Sequence, residues 1–153
     1  MRCRLAPLIT LSGAVIAACH SAAPPPSPDL SGAPTGRGAV ERFLAAVRAQ
    51  DLQALGLVWG SKSGPAPVTI PRQELEKREV ILTQCLANDS AKYLDENAAL
   101  SGDRQVRYML YHGPVVRTTL FTVEAGPDSR WYVKEIDLHD PHSCTVEAGQ
   151  PVR

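Results

Sequence analysis

The spacing of apolar residues changes from a helical period to an alternating one near residue 90. Val40, Phe43, Leu44 and Val47 recur at i, i+3, i+4 and i+7, which predicts a helix from Gly38 with one apolar stripe, and Glu41, Arg42 and Arg48 fall off that stripe. Gly38 reads as the N-cap, with Glu41 three residues on as half of a capping box. Asp51 then reads as the cap of a second, short helix carrying Leu52, Leu55, Val58 and Trp59, weakened by Gly56 and ended by Gly60. Two prolines and a glycine make 61–68 a loop.

Pro71 opens a third helix that runs to about Ala87. Leu75, Leu82 and Leu86 share one face of it, and Ile81 and Cys85 widen that face to one side. Arg78 projects into the middle of the apolar arc. Either its stem lies on the core with its head in water, or its guanidinium enters a cavity and meets a carboxylate. After Asn88-Asp89-Ser90 the period falls to two. Short strands are expected at Ala91–Leu94 and Gln105–His112, the latter with Val106, Tyr108 and Leu110 on one side and Arg107, Met109 and Tyr111 on the other. Val115–Glu124 and Trp131–Leu138 follow, separated by Gly113-Pro114 and Gly126-Pro127-Asp128 turns. Strands joined this closely form an antiparallel meander.

The front of the chain belongs to neither pattern. Arg2 and Arg4 precede an uncharged run, Leu8–Cys19, which is the layout of a secretory signal and is too short for a bilayer-spanning helix. The ending Ile16-Ala17-Ala18-Cys19 resembles the bacterial lipoprotein signal, the lipobox. That resemblance implies loss of residues 1–18 and acylation of Cys19. Residues 19–37 then form a lipidated cysteine and a linker rich in proline, alanine, serine and glycine, too poor in large apolar side chains to pack and biased to extended polyproline geometry. His20, in place of an aspartate after the anchor, resembles the sorting pattern for the outer membrane, with the domain facing the periplasm.

Composition narrows the class further. Removing 18 of 153 residues leaves 135, enough for one domain over 38–144 with a tail at 145–153. The full chain carries 16 basic and 16 acidic side chains, and without the signal the balance is 14 against 16. No basic surplus points to nucleic acid, so membrane affinity would come from the acyl group at Cys19. Of four cysteines, Cys3 leaves with the signal and Cys19 is the anchor. Cys85 and Cys144 remain, as a disulfide that persists in an oxidising compartment or as two separate thiols.

The order of helix, Asp-started short helix, longer helix and meander resembles the NTF2-like, SnoaL-like α+β cone, which is also described as cystatin-like. The resemblance rests on Ala39–Trp59, AVERFLAAVRAQDLQALGLVW, and on Trp131–Leu138, WYVKEIDL, and covers about Gly38–Leu138. It implies N-terminal helices packed on a curved antiparallel sheet around a conical pocket. That family includes isomerases, dehydratases and non-catalytic binding modules, so fold does not choose among them.

A catalytic cone needs an acid or base with a polarising partner. If Trp131 and Val133 face inward, strict alternation turns Glu135 and Asp137 inward too, within reach of Arg78. Arg78, Tyr108, Glu135 and Asp137 are the pocket candidates, and His112 sits at a strand end before the turn. Asp137, His139, Asp140 and His142 are metal-capable but leave a strand and run into Pro141, so neither a metal nor a cofactor is expected. The chain contains no G-x-S-x-G and no C-x-x-C. Export without a recognisable catalytic set makes the leading expectation a non-enzymatic, lipid-anchored envelope protein that binds a small hydrophobic ligand or an envelope protein; a homodimer stays open. The alternative is an isomerase- or dehydratase-type enzyme using Asp137 or His112.

Overall fold

The computed structural model describes residues 31–138. Four helices, α1 (Gly36–Ala49), α2 (Leu52–Val58), α3 (Ala66–Thr69) and α4 (Arg72–Cys85), precede the main sheet. A two-residue hairpin, β1 (Gly60–Ser61) with β2 (Gly64–Pro65), lies between α2 and α3. The sheet is an open antiparallel meander in the order β3 (Ser90–Ala98), β4 (Arg104–His112), β5 (Val115–Ala125) and β6 (Trp131–Ile136). The class is therefore α+β, with the helices preceding the strands. No helix among the described residues is long and apolar enough to cross a membrane.

α1 begins two residues earlier than its apolar stripe suggested. Thr35, not Gly38, is the cap: its hydroxyl accepts from the Gly38 N–H at 3.0 Å, a bond a glycine side chain cannot make. The helix stops where Gln50 turns left-handed at φ 53° and its N–H reaches back to Ala46 and Val47. Asp51 caps α2 as expected, accepting from the Ala54 N–H at 2.9 Å. Packing also starts upstream of position 38: Ala33 is fully buried and exchanges two backbone bonds with Trp131.

The expected loop at 61–68 is instead the β1–β2 hairpin followed by α3. Pairs of two residues are too short to show an alternating period. Gly60 is required there, because a Cβ would stand 2.3 Å from the Gly64 carbonyl oxygen. The strand expected at Ala91–Leu94 is a full nine residues.

One face of the sheet carries Val106, Tyr108 and Leu110 from β4, Phe121 and Val123 from β5, and Val133 from β6, all buried against Val40, Phe43, Leu44 and Val47 of α1. Two bulges interrupt the strict alternation. One lies in β3, between Tyr93 and Asp95. The other lies in β6: Val123 pairs with Val133 and Thr122 with Glu135, so Lys134 is the extra residue. Its amine reaches Asp103 at 3.2 Å and Glu124 at 3.5 Å, outside the core.

Candidate functional site

The β6 bulge corrects the expected pocket. Inserting one residue flips every following side chain to the opposite face. Ile136 therefore pairs with Phe121, and Ile136 and Leu138 pack on the core. Glu135 and Asp137, expected inward, are exposed. Arg78 is exposed as well, with its Nε donating to Glu74 Oε1 on its own helix at 2.8 Å. The structure thus keeps Arg78, Glu135 and Asp137 out of any shared cavity. The Arg78 head thus lies in water, as in the reading that set its stem on the core, and not in a cavity.

The cone itself is full. Phe43 meets Phe121 edge to face at 6.1 Å between centroids, and Tyr108 meets Phe121 at 6.3 Å and Tyr93 at 5.7 Å. All of these rings except Tyr93 are buried.

One polar recess among the described residues is a cleft of about 390 Å³ between α1 and the β3–β4 edge. Arg37, Glu41, Leu44 and Arg48 line it at i, i+4, i+7 and i+11 of α1, and Asp89, Ser90, Tyr93 and Tyr108 close the other side. Of the expected pocket residues, Tyr108 is the one found here.

Glu41 organises this cleft. Arg37 Nε donates to Glu41 Oε1 at 2.8 Å, and the Tyr108 hydroxyl donates to the same oxygen at 3.3 Å. The Arg37 guanidinium also lies over the Tyr93 ring, 4.4 Å from its centroid, a cation–π contact. Burial, helped by the Glu41 charge and opposed by Arg37, pushes the Tyr108 phenol up to about 12, so at neutral pH it acts as a donor. At the far end Arg48 donates to Asn88 Oδ1 at 2.9 Å, and Asp89 Oδ2 accepts from the Gly113 N–H at 2.7 Å. His112 stands exposed beside Asp89, with Nδ1 3.5 Å from Oδ1.

The Glu41 carboxylate is thus tied to Arg37 and Tyr108 while its side chain is about half exposed. The cleft presents both signs of charge and an aromatic wall, a combination that fits a small charged molecule.

Arg37, Glu41, Arg48 and Tyr93 were not singled out by pattern. The signal available was the i, i+4 pair Arg37 and Glu41, with Arg48 seven residues beyond, along one edge of the apolar stripe. Cys85 is buried and disulfide-bonded. Cys19 and Cys144 lie outside the described residues, as do His139, Asp140 and His142. Among the described residues no three His, Cys, Asp or Glu side chains gather as a metal group.

Fold and cleft together define an α+β protein with a filled cone and a lateral polar recess. No protein-family model, no curated protein and no solved structure matches the chain.

Proposed function

We propose that this protein is an envelope lipoprotein anchored through Cys19, whose NTF2-like domain is a non-catalytic module that binds a small charged ligand in the α1–β3 cleft. The observation that carries the binding reading is the filled cone. Phe43 and Phe121 occupy the space where a cone enzyme would hold its substrate, and the polar recess left outside is built from fixed charges. The small hydrophobic ligand expected from sequence fits this mixed-charge recess less well than a zwitterion, whose two charges Arg48 and Glu41 would match.

The anchor reading rests on Leu8–Cys19. Eleven residues separate Cys19 from Ser31, and Ser31 and Ala33 are fastened to β6 through Tyr132 and Trp131.

The reading includes one covalent pairing, Cys85 with Cys144. β6 continues past Ile136 alongside β5, where the Asp137 N–H reaches Leu120 O at 2.9 Å. That course leads towards Arg117, which donates to the Ala87 carbonyl, two residues after Cys85. Cys144 lies six residues past Leu138, outside the described residues. Ser31, twelve positions after Cys19 in sequence, sits at the other end of β6.

Two measurements test the function. Mass spectrometry of protein extracted from membranes is expected to show a mature chain that begins at an acylated Cys19; residues 1–18 still attached, or an unmodified Cys19, would refute the anchor. In NMR titrations with free amino acids, chemical-shift changes are expected to concentrate on Arg37, Glu41, Arg48 and Tyr93 and to disappear in Tyr93→Ala. Changes scattered over the surface would remove the cleft as the site.

A further inference from the structure

Among the described residues, α4 carries the one buried glutamate. Glu79 is 3% exposed, and its carboxylate lies against α2, close enough to Gly56 that a Cβ there would be 2.6 Å from Oε1 and 3.3 Å from Pro67 Cγ. Gly56 is thus the position in α2 that admits the carboxyl group. The glycine that weakens α2 by propensity is what lets α4 dock.

The surroundings offer this group no counter-charge. α2, LQALGLV, and α3, APVT, contain no titratable residue. On α4 itself Glu76, one turn back, repels it, Arg72 and Arg78 are bonded to Glu76 and Glu74, and Lys77 makes no bond to it. The basic residues of α1 are engaged elsewhere: Arg37 with Glu41, Arg42 with the Gly32 carbonyl, and Arg48 with Asn88. Among the described residues Glu79 has no hydrogen-bond or ion-pair partner.

The element that bears it is held unevenly. At its start Pro71 supplies no side-chain cap and Leu75 is the one buried residue before Glu79, and just after Glu79 Val80 and Ile81 are 42% and 47% exposed. At its end the Cys85 disulfide and buried Leu86 fix it.

We propose that Glu79 is a protonation-controlled latch: as a neutral acid it seats the N-terminal half of α4 on α2, and on ionising it releases that half while the disulfide end stays in place. Burial first, and Glu76 second, push the carboxyl up to about 7. The folded-state value is raised above the ordinary one near 4.5. The stabilisation is therefore full below the unfolded value, declines as pH rises between the two, and is lost once pH passes the folded value. The latch is closed in a mildly acidic medium and open in an alkaline one. Released, α4 would expose Leu75 and the Gly56 face of α2, a surface hidden at low pH.

The test is amide hydrogen exchange on the intact protein, expressed as protection factors so that the intrinsic pH dependence of exchange is divided out. Between pH 5 and pH 8, protection at the amides of Leu75 to Glu79 is expected to fall on the order of tenfold or more in the wild type. It should stay level in Glu79→Gln, and the amides of β4 and β5 should be unaffected in both. Direct titration of the Glu79 side-chain carboxyl carbon by NMR, in the wild type, is expected to give a midpoint near 7 and needs no variant to fold. A midpoint near the ordinary glutamate value, or α4 protection that is flat in the wild type or falls equally in Glu79→Gln, overturns the proposal.

Discussion

Phe43→Ala is expected to lower the free energy of unfolding by about 3–5 kcal/mol, among the largest effects of any single side-chain truncation in this protein. Phe43 is completely buried and its ring is the plug of the cone, set edge-on to Phe121 at 63°. Truncation removes the transfer free energy of the ring and leaves a cavity. The walls cannot collapse into it, because β4, β5 and β6 hold one another in fixed register and α1 is pinned at both ends. Urea unfolding should show a lower midpoint at unchanged slope, since the surface exposed on unfolding hardly alters. The same variant separates the filled cone from the lateral cleft. If the lateral cleft is the binding site, amino-acid titrations should still shift Tyr93 in Phe43→Ala under native conditions. A loss below about 1 kcal/mol would mean that α1 does not fill the sheet's concave face.

Cys144→Ser is expected to cost about 4 kcal/mol, the chain-entropy value for a crosslink closing the 59 positions between Cys85 and Cys144. Replacing Cys144 leaves the buried Cys85 side chain in its packing, so the loss reports the crosslink and not a core cavity. Peptide mapping without reductant should recover a fragment joining Cys85 to Cys144, and thermal melts with and without reductant should converge for Cys144→Ser. Cys85 found linked to a different cysteine would refute the pairing. A Cys144→Ser protein as stable as the wild type would show that the bond contributes nothing to the fold.

These two changes act on opposite ends of the design. The ring fills the sheet from one side, and the proposed crosslink would hold the end of α4, close to where Arg117 donates to the Ala87 carbonyl. Arg48 of the cleft is tied to Asn88, three residues after Cys85. The seating of α4 and the shape of the cleft thus share one short segment. Release of the N-terminal half of α4 alone would leave that segment in place.

Local pattern determined much of this protein. The stripe Val40, Phe43, Leu44, Val47 fixes which face of α1 is buried, because a helix repeats every 3.6 residues whatever surrounds it. Asp51 sets the start of α2 through a bond that spans three residues, and Val106, Tyr108 and Leu110 choose the inner face of β4 by alternation. Lys134 escaped that reading: a bulge is an agreement between two strands, and nothing in WYVKEIDL alone says that one residue will be skipped, so the parity of Glu135 and Asp137 was decided by pairing with β5. The same holds for Glu79, polar in sequence yet buried because α2 offers a glycine opposite it, and for Arg37, Glu41, Tyr93 and Tyr108, which lie as far as 71 positions apart and meet only when α1 crosses the sheet. Chain-local bonds and periods are written in the order of residues; which charges share a recess, and which one loses its water, depends on distances that exist only after the layers pack.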